Sequence, residues 1–153
     1  NPVNLFVANF IGSPTINFFE GYYRDSEFNL EDFSAGTLSV SKANKSKVDD
    51  SIRGEEIVIG IRPEHLKVSP KAEGTSQLRA KVVSFEPLGS KTIIYLHPDG
   101  NPNAILKSSM DSDFKPRIGE MMSLLINEKD IYHFDKKYNY FFHFLVLSNH
   151  YQF

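Results

Sequence analysis

Cysteine and tryptophan are absent from the 153 residues. Without cysteine, a disulfide framework and a thiolate metal site are both excluded, and the compartment stays open, with the cytosol somewhat favoured. An excess of either charge is missing too: 17 Lys and Arg stand against 19 Asp and Glu, a formal net charge of −2. That balance exerts no long-range pull toward nucleic acid or anionic lipid. The longest apolar run, Tyr140 to Leu147, is interrupted by His143. It falls far short of the roughly 20 residues that a membrane-spanning helix needs. No phosphate cradle is present: none of the nine glycines precedes a lysine, and no Gly-x-Gly-x-x-Gly occurs. The chain is therefore not expected to bind or hydrolyse ATP unaided, nor to carry catalytic residues of its own. No signal peptide is recognisable, and the opening Asn1-Pro2, without a methionine, reads as a piece of something longer.

What is abundant favours strands. Apolar residues make up 41%, with 13 Phe and 7 Tyr, and Phe, Tyr, Ile and Val suit a pleated, half-buried surface. The N-terminus is the exception. Asn1 suits a helix cap, Pro2 the first helical position and Gly12 the position past the end. Val3, Phe6, Val7, Phe10 and Ile11 fall on one face at helical spacing. A helix this short is marginal alone and must dock on something.

Thr15 to Tyr23 reads as a first strand, Arg24 to Phe33 as an acidic loop anchored by Phe28 and Leu30, and Gly36 to Ser41 as a short strand. Lys42 to Arg53 reads as a solvated loop. Leu66 to Val68 reads as a short strand continuation and Ser69 to Ser76 as a turn. Gln77 to Phe85 and Lys91 to His97 read as a hairpin bent at Pro87-Leu88-Gly89-Ser90. Further strands are expected at Ala104 to Lys107, Glu120 to Glu128, Ile131 to Asp135 and Tyr140 to Leu147. Many short strands at roughly ten-residue spacing suggest a barrel or sandwich. The division expected is a linking helix over 1–14, one β domain over 15–135 and an aromatic extension over 136–153.

The organising stretch is Ile57-Val58-Ile59-Gly60-Ile61-Arg62-Pro63-Glu64-His65-Leu66. A run of β-branched residues reads as a strand buried on both faces, and Pro63 stops it. Arg62, Glu64 and His65 are thus gathered at one corner. Ion-pair architecture explains such a corner, and so does a surface that recognises a partner. Other constellations point to no chemistry. The five His lack the spacing of a helical zinc site, and Asp49-Asp50 and Asp111-Ser112-Asp113 sit in polar segments that suit solvated turns. No metal site and no nucleic-acid patch are expected.

Four stretches carry a resemblance, in order along the chain. They are Pro2-x-Asn4-x-Phe6-Val7-Ala8-x-Phe10-Ile11-Gly12-Ser13-Pro14-x-x-Asn17-Phe18; Gly60-Ile61-Arg62-Pro63-Glu64-His65-Leu66; Val83-x-x-x-Pro87-Leu88-Gly89-Ser90-x-Thr92-x-x-Tyr95; and Gly119-Glu120 through Phe134-Asp135. Together they resemble the C-terminal regulatory domain of ATP-binding subunits in maltose-type sugar ABC importers. Ile16 stands where that family usually has Met, and the aromatic tail over 136–153 departs from it.

The resemblance implies an all-β fold: an OB-like barrel, TOBE- or MOP-like, with a short N-terminal helix. It implies a non-catalytic regulatory and dimerisation module that braces and couples ATPase domains. The implied partners are a second copy of itself, the ATPase domain of the same chain, cytosolic regulators in some members and, indirectly, membrane permease subunits. The implied location is cytoplasmic, peripheral on the inner face of the membrane. No cofactor is expected within this chain; ATP and Mg belong to the upstream domain that the resemblance implies. Candidate interface or structural residues are Arg62, Glu64, His65, Leu88, Gly89, Ser90, Asn17 and Phe18. An alternative reading is an OB-like module binding an oxyanion such as molybdate through amides near Gly89-Ser90.

Overall fold

A computed structural model of the chain describes residues 16–34, 36–39, 44–45, 56–71, 78–135 and 145–146. The expected helix over 1–12, most of the 42–53 loop, most of the 69–76 turn and most of the 136–153 extension lie outside these residues. Strands dominate the described chain. β1 (Asn17–Arg24), β2 (Glu27–Leu30), β3 (Thr37–Ser39), β4 (Glu56–Ile61), β10 (Ile131–Asp135) and β11 (Leu145–Val146) form one sheet in the order β11-β10-β4-β1-β2-β3. β5 (Leu66–Ser69), β6 (Arg79–Leu88), β7 (Lys91–Pro98), β8 (Leu106–Asp111) and β9 (Met121–Ile126) form a second, ordered β5-β9-β6-β7-β8. Every pairing is antiparallel.

The side-chain alternation of the strands aims both sheets at one core. Phe19, Ile57, Ile59, Ile61 and Ile131 come from the first sheet, and Leu66, Ala80, Val82, Ile94, Leu96, Met122 and Leu124 from the second; all belong to a single buried cluster. Ile57 to Ile61 is buried on both faces, as its unbroken apolar run requires.

Four details differ from the sequence reading. Arg24 to Phe33 is not simply a loop. Asp25 and Ser26 both take positive φ, 53° and 65°, and make the two-residue turn of a hairpin whose second strand buries Phe28 and Leu30. Left-handed φ at both positions is the type I′ turn, whose twist matches the flanking strands. Acidic composition masked that strand.

The Pro87–Ser90 bend is also tighter than expected. Leu88 pairs with Lys91, leaving only Gly89 (φ 63°) and Ser90 in the turn. Pro87 is accommodated within β6 because, on the β9 side, the last backbone bonds among the described residues are those of Val82 with Gly119 and Glu120. A proline is tolerated at such an edge and discourages strand addition there. The strand expected at Ala104 to Lys107 begins at Leu106 instead and runs on to Asp111. Finally, Leu66 to Ser69 does not continue β4; it crosses into the second sheet.

Two substitutions test these close fits. An added Cβ on Gly21 would lie 2.0 Å from the backbone oxygen of Asn29 across the hairpin. Gly21→Ala should therefore destabilise by about 2–3 kcal/mol, read by chemical denaturation, because backbone cannot yield as a side-chain tip would. Ser26→Gly should stabilise by about 0.5–1 kcal/mol, since it relieves a left-handed non-glycine residue at a small entropic cost; a neutral or negative change in denaturation midpoint would contradict the turn assignment.

Candidate functional site

The site grows from the place where β4 ends. Pro63 forces Arg62 into an extended conformation, φ −69° and ψ 145°. A single 3-10 turn, Pro63–His65, then reverses the chain, and the Arg62 carbonyl accepts hydrogen bonds from the His65 and Leu66 amides at 2.9 and 3.1 Å. This corner hands the chain from the six-stranded sheet to the five-stranded one. A second 3-10 turn, Glu128–Asp130, hands it back between β9 and β10, opened by Asn127, whose side chain accepts from the Lys129 amide.

The two corners lie side by side. His65 Nδ1 stands 3.9 Å from Asp130 Oδ1. That is an ion-pair distance and too long for a hydrogen bond; Nδ1 is shielded from solvent and has no hydrogen-bond partner. The Arg62 guanidinium lies 5.9 Å from the centre of the Tyr132 ring, and its Nε donates to the Tyr132 hydroxyl at 3.5 Å. Asn44 donates to Glu128 Oε2 at 3.0 Å. Glu64 is exposed. The result is a surface of mixed charge with aromatic backing. Among the described residues no group of three or more metal-ligating side chains converges.

Asn17 is buried next to this corner, 5% exposed. Its amide nitrogen donates to the Ile61 carbonyl at 3.1 Å and the Lys107 carbonyl at 2.9 Å, and its oxygen accepts from the Lys107 amide at 2.7 Å. One side chain on β1 thus ties β4 to β8, in the other sheet. Two further side-chain bonds join β5 to β8: Ser108 Oγ donates to the Leu66 carbonyl, and Lys67 Nζ to the Ser109 carbonyl at 2.9 Å. They close the second sheet where no strand ladder does.

The structure groups Arg62, His65, Asn17 and Phe18 around the corner, with Phe18 in register with Gly60. It does not bring Leu88, Gly89 and Ser90 to the same place. They form the tip of the β6–β7 hairpin, where Lys91 pairs with Asp111, three positions beyond the Ser108 that bonds Leu66. Leu88 is 53% exposed, Phe85 nearby is 42% exposed, and Gly89 has open space around it.

Sequence reasoning missed Tyr132 and Asp130. Their part in the corner depends on β10 lying beside β4, and no local pattern announces that. Other acids are structural. The Asp111 carboxyl, hydrogen-bonded to Lys91 at 2.6 Å, is held below its ordinary value by that bond and charge. Burial pushes the Asp32 carboxyl up, against the hydrogen bond from Asn101 and with the charges of Glu20 and Glu31 adding.

Comparison with known families meets this geometry at the corner. The model of the TOBE domain matches residues 59–134, and the model of the MalK OB fold domain matches residues 12–66. The two overlap on residues 59–66, which are the end of β4 and the corner itself. The chain belongs to the TOBE and MalK OB-fold family. Its fold is accordingly an all-β, OB-like one.

Among its relatives, the oligosaccharides import ATP-binding protein MsmX of Bacillus subtilis is 31% identical over 92% of this chain and 36% of the relative. The trehalose/maltose import ATP-binding protein MalK of Thermococcus litoralis is 32% identical over 88% and 36%. The xylose/arabinose import ATP-binding protein XacK of Haloferax volcanii is 28% identical over 88% and 34%. The chain thus spans about a third of the length of the curated relatives it matches. A crystal structure of the cytoplasmic molybdate-binding protein ModG with molybdate bound shares the fold, with a TM-score of 0.55 at 15% identity over 76% of this chain and 94% of ModG.

The Asn17 clamp makes a sharp prediction. Asn17→Ala should destabilise by about 2–4 kcal/mol, because it leaves the Lys107 amide and two carbonyls without their partner. Asn17→Asp should be worse near neutral pH, since a carboxylate would face two carbonyl oxygens, and should recover part of the loss on acidification as the acid regains a donor. Equal stability of the two variants across pH, measured by thermal unfolding, would rule out the clamp.

Proposed function

We propose that the chain is the regulatory and dimerisation domain of the ATP-binding subunit of an ABC-type sugar importer, non-catalytic in itself, which braces and couples ATPase domains. The observation that carries this reading is the pair of family matches joined at the Arg62–His65 corner, together with relatives whose names are those of sugar-import ATP-binding proteins. The geometry supports it. Two sheets share one core and are bridged by side chains, which makes a stiff body, and its corner offers charge of both signs with aromatic backing rather than a reaction centre. Such a surface can be self-complementary about a two-fold axis.

In this reading residues 1–14 link to an upstream ATPase domain, 15–135 form the module and 136–153 are an extension of it. The partners are a second copy, the ATPase domain of the same chain, cytosolic regulators and, indirectly, membrane permease subunits, with no nucleic acid. ATP and Mg belong to the ATPase domain. The location is the cytoplasmic face of the membrane, reached through the complex; no helix of the described residues is long and apolar enough to cross a bilayer. Arg62, Glu64 and His65 form the self-association patch, with the Leu88–Ser90 tip as a separate contact. The oxyanion alternative draws only on the shared fold with ModG. The Gly89–Ser90 tip is exposed and unenclosed, which gives that reading no cradle.

Glu64 is exposed, so Glu64→Arg should leave the Tm unchanged while weakening self-association several-fold. Arg62→Ala should weaken it too, with a lower Tm because Tyr132 loses its covering guanidinium. Sedimentation of the 153-residue chain, unchanged by both substitutions, would remove the patch from this role.

A further inference from the structure

The module is built twice. Apart from β11, the two sheets read β10-β4-β1-β2-β3 and β5-β9-β6-β7-β8. Exchanging β1 to β5 for β6 to β10 turns the first order into the second. Each half of the chain makes the same five strands and lends its fifth strand to the sheet of the other half. The numbering keeps step where the halves exchange. Glu56–Ile61, Pro63–His65 and Leu66–Ser69 recur 65 positions later as Met121–Ile126, Glu128–Asp130 and the start of Ile131–Asp135. The corners close alike: the His65 amide donates to the Arg62 carbonyl and the Asp130 amide to the Asn127 carbonyl, each at 2.9 Å. Ile61 pairs with Ile131 on one side of the corners, and Leu66 with Ile126 on the other. A local two-fold axis therefore runs between them. His65 and Asp130, at equivalent positions, face each other across it at 3.9 Å.

The backbone repeats but the charge does not. Of the fourteen positions from Glu56 to Ser69, only Ile61 matches the residue at its equivalent, Ile126. Glu64, exposed on the first corner, stands where the second exposes Lys129. Neither Glu64 nor Lys129 has an ion-pair partner among the described residues. One surface thus presents two arches of the same shape and opposite charge, set on either side of an axis.

We infer that a second copy of this chain docks across both corners at once, with Glu64 of each copy set against Lys129 of the other. A surface with its own two-fold axis can meet a copy of itself in two closed arrangements that match equally in shape. In one, each arch lies over its own kind; in the other, each lies over the opposite kind. Charge separates the two. The first sets Glu64 on Glu64 and Lys129 on Lys129, and like charges in contact are repelled. The second makes two attractive pairs and remains a closed dimer. Exposed pairs of this kind add little affinity, but they select partner and register. The inference rests on the self-association reading above and deepens it, because it adds Lys129 and fixes which corner meets which.

Charge exchange in the 153-residue chain, read by sedimentation, tests the pairing. Glu64→Lys and Lys129→Glu should each weaken self-association about tenfold with the Tm unchanged, since both side chains are exposed. Combining them in one chain should restore association to within about twofold of the parent. An equimolar mixture of the two single variants should associate better than either variant alone, because every contact between unlike chains is then Glu against Lys.

A double variant no stronger than the single ones, or no gain on mixing, while the parent chain still associates, would overturn the inference and leave the second-copy reading in place. Single variants that associate as well as the parent would do the same, and would favour a contact elsewhere on the surface. A parent chain that stays monomeric at every concentration would overturn both.

Discussion

A single amide side chain stands in for a missing strand ladder. Where two sheets meet at the edge of a common core, backbone groups of one have no regular partner in the other, and each one buried without a partner costs free energy. Asn17 offers the donor and acceptor pattern of a peptide group. It uses both, toward Ile61 and Lys107. Ser108 and Lys67 extend the same device along the β5–β8 seam. These bonds span 44, 90 and 42 residues of sequence. The body they hold together is therefore stapled between distant parts of the chain, from Asn17 to Ser109, rather than stacked from local hairpins alone.

The corners follow from this arrangement. A chain that must visit both sheets has to leave the first and return, and both passages use a one-turn 3-10 helix. Packing the passages together sets His65 against Asp130 and Arg62 against Tyr132. The exposed share of these His–Asp and cation–π contacts adds little to stability, because water screens it. Their value lies in shape and charge: a fixed, mixed-sign surface backed by a ring and anchored to β4, the strand at the centre of the sheet. Its attachment to β4 ties this surface to a strand buried on both faces.

Much of the fold was legible as local pattern. The Ile57–Ile61 run, the stop at Pro63 and the outward Arg79 and Lys81 beside inward Ala80 and Val82 all follow from periodicity and proline geometry. The β1–β2 hairpin was hidden because Asp25-Ser26 is a rarer occupant of a type I′ turn than Asn-Gly, and because charge surrounds Phe28 and Leu30. The start of β8 was misplaced because Pro102 and Asn103 give no sharp boundary before Leu106. At the site, Arg62, Glu64 and His65 were visible as neighbours in sequence. Tyr132 and Asp130, some 65 to 70 residues away in the chain by number, were not.

Residue order alone settled the predominance of strands among the described residues and the corner at Pro63, because each depends on side chains a few positions apart. It left open which strands neighbour which, that β5 departs into a second sheet, and that Asn17 faces Lys107. Those are decided by long-range pairing, in which many registers satisfy the same alternation until burial of one shared core and partnering of every buried polar group select among them.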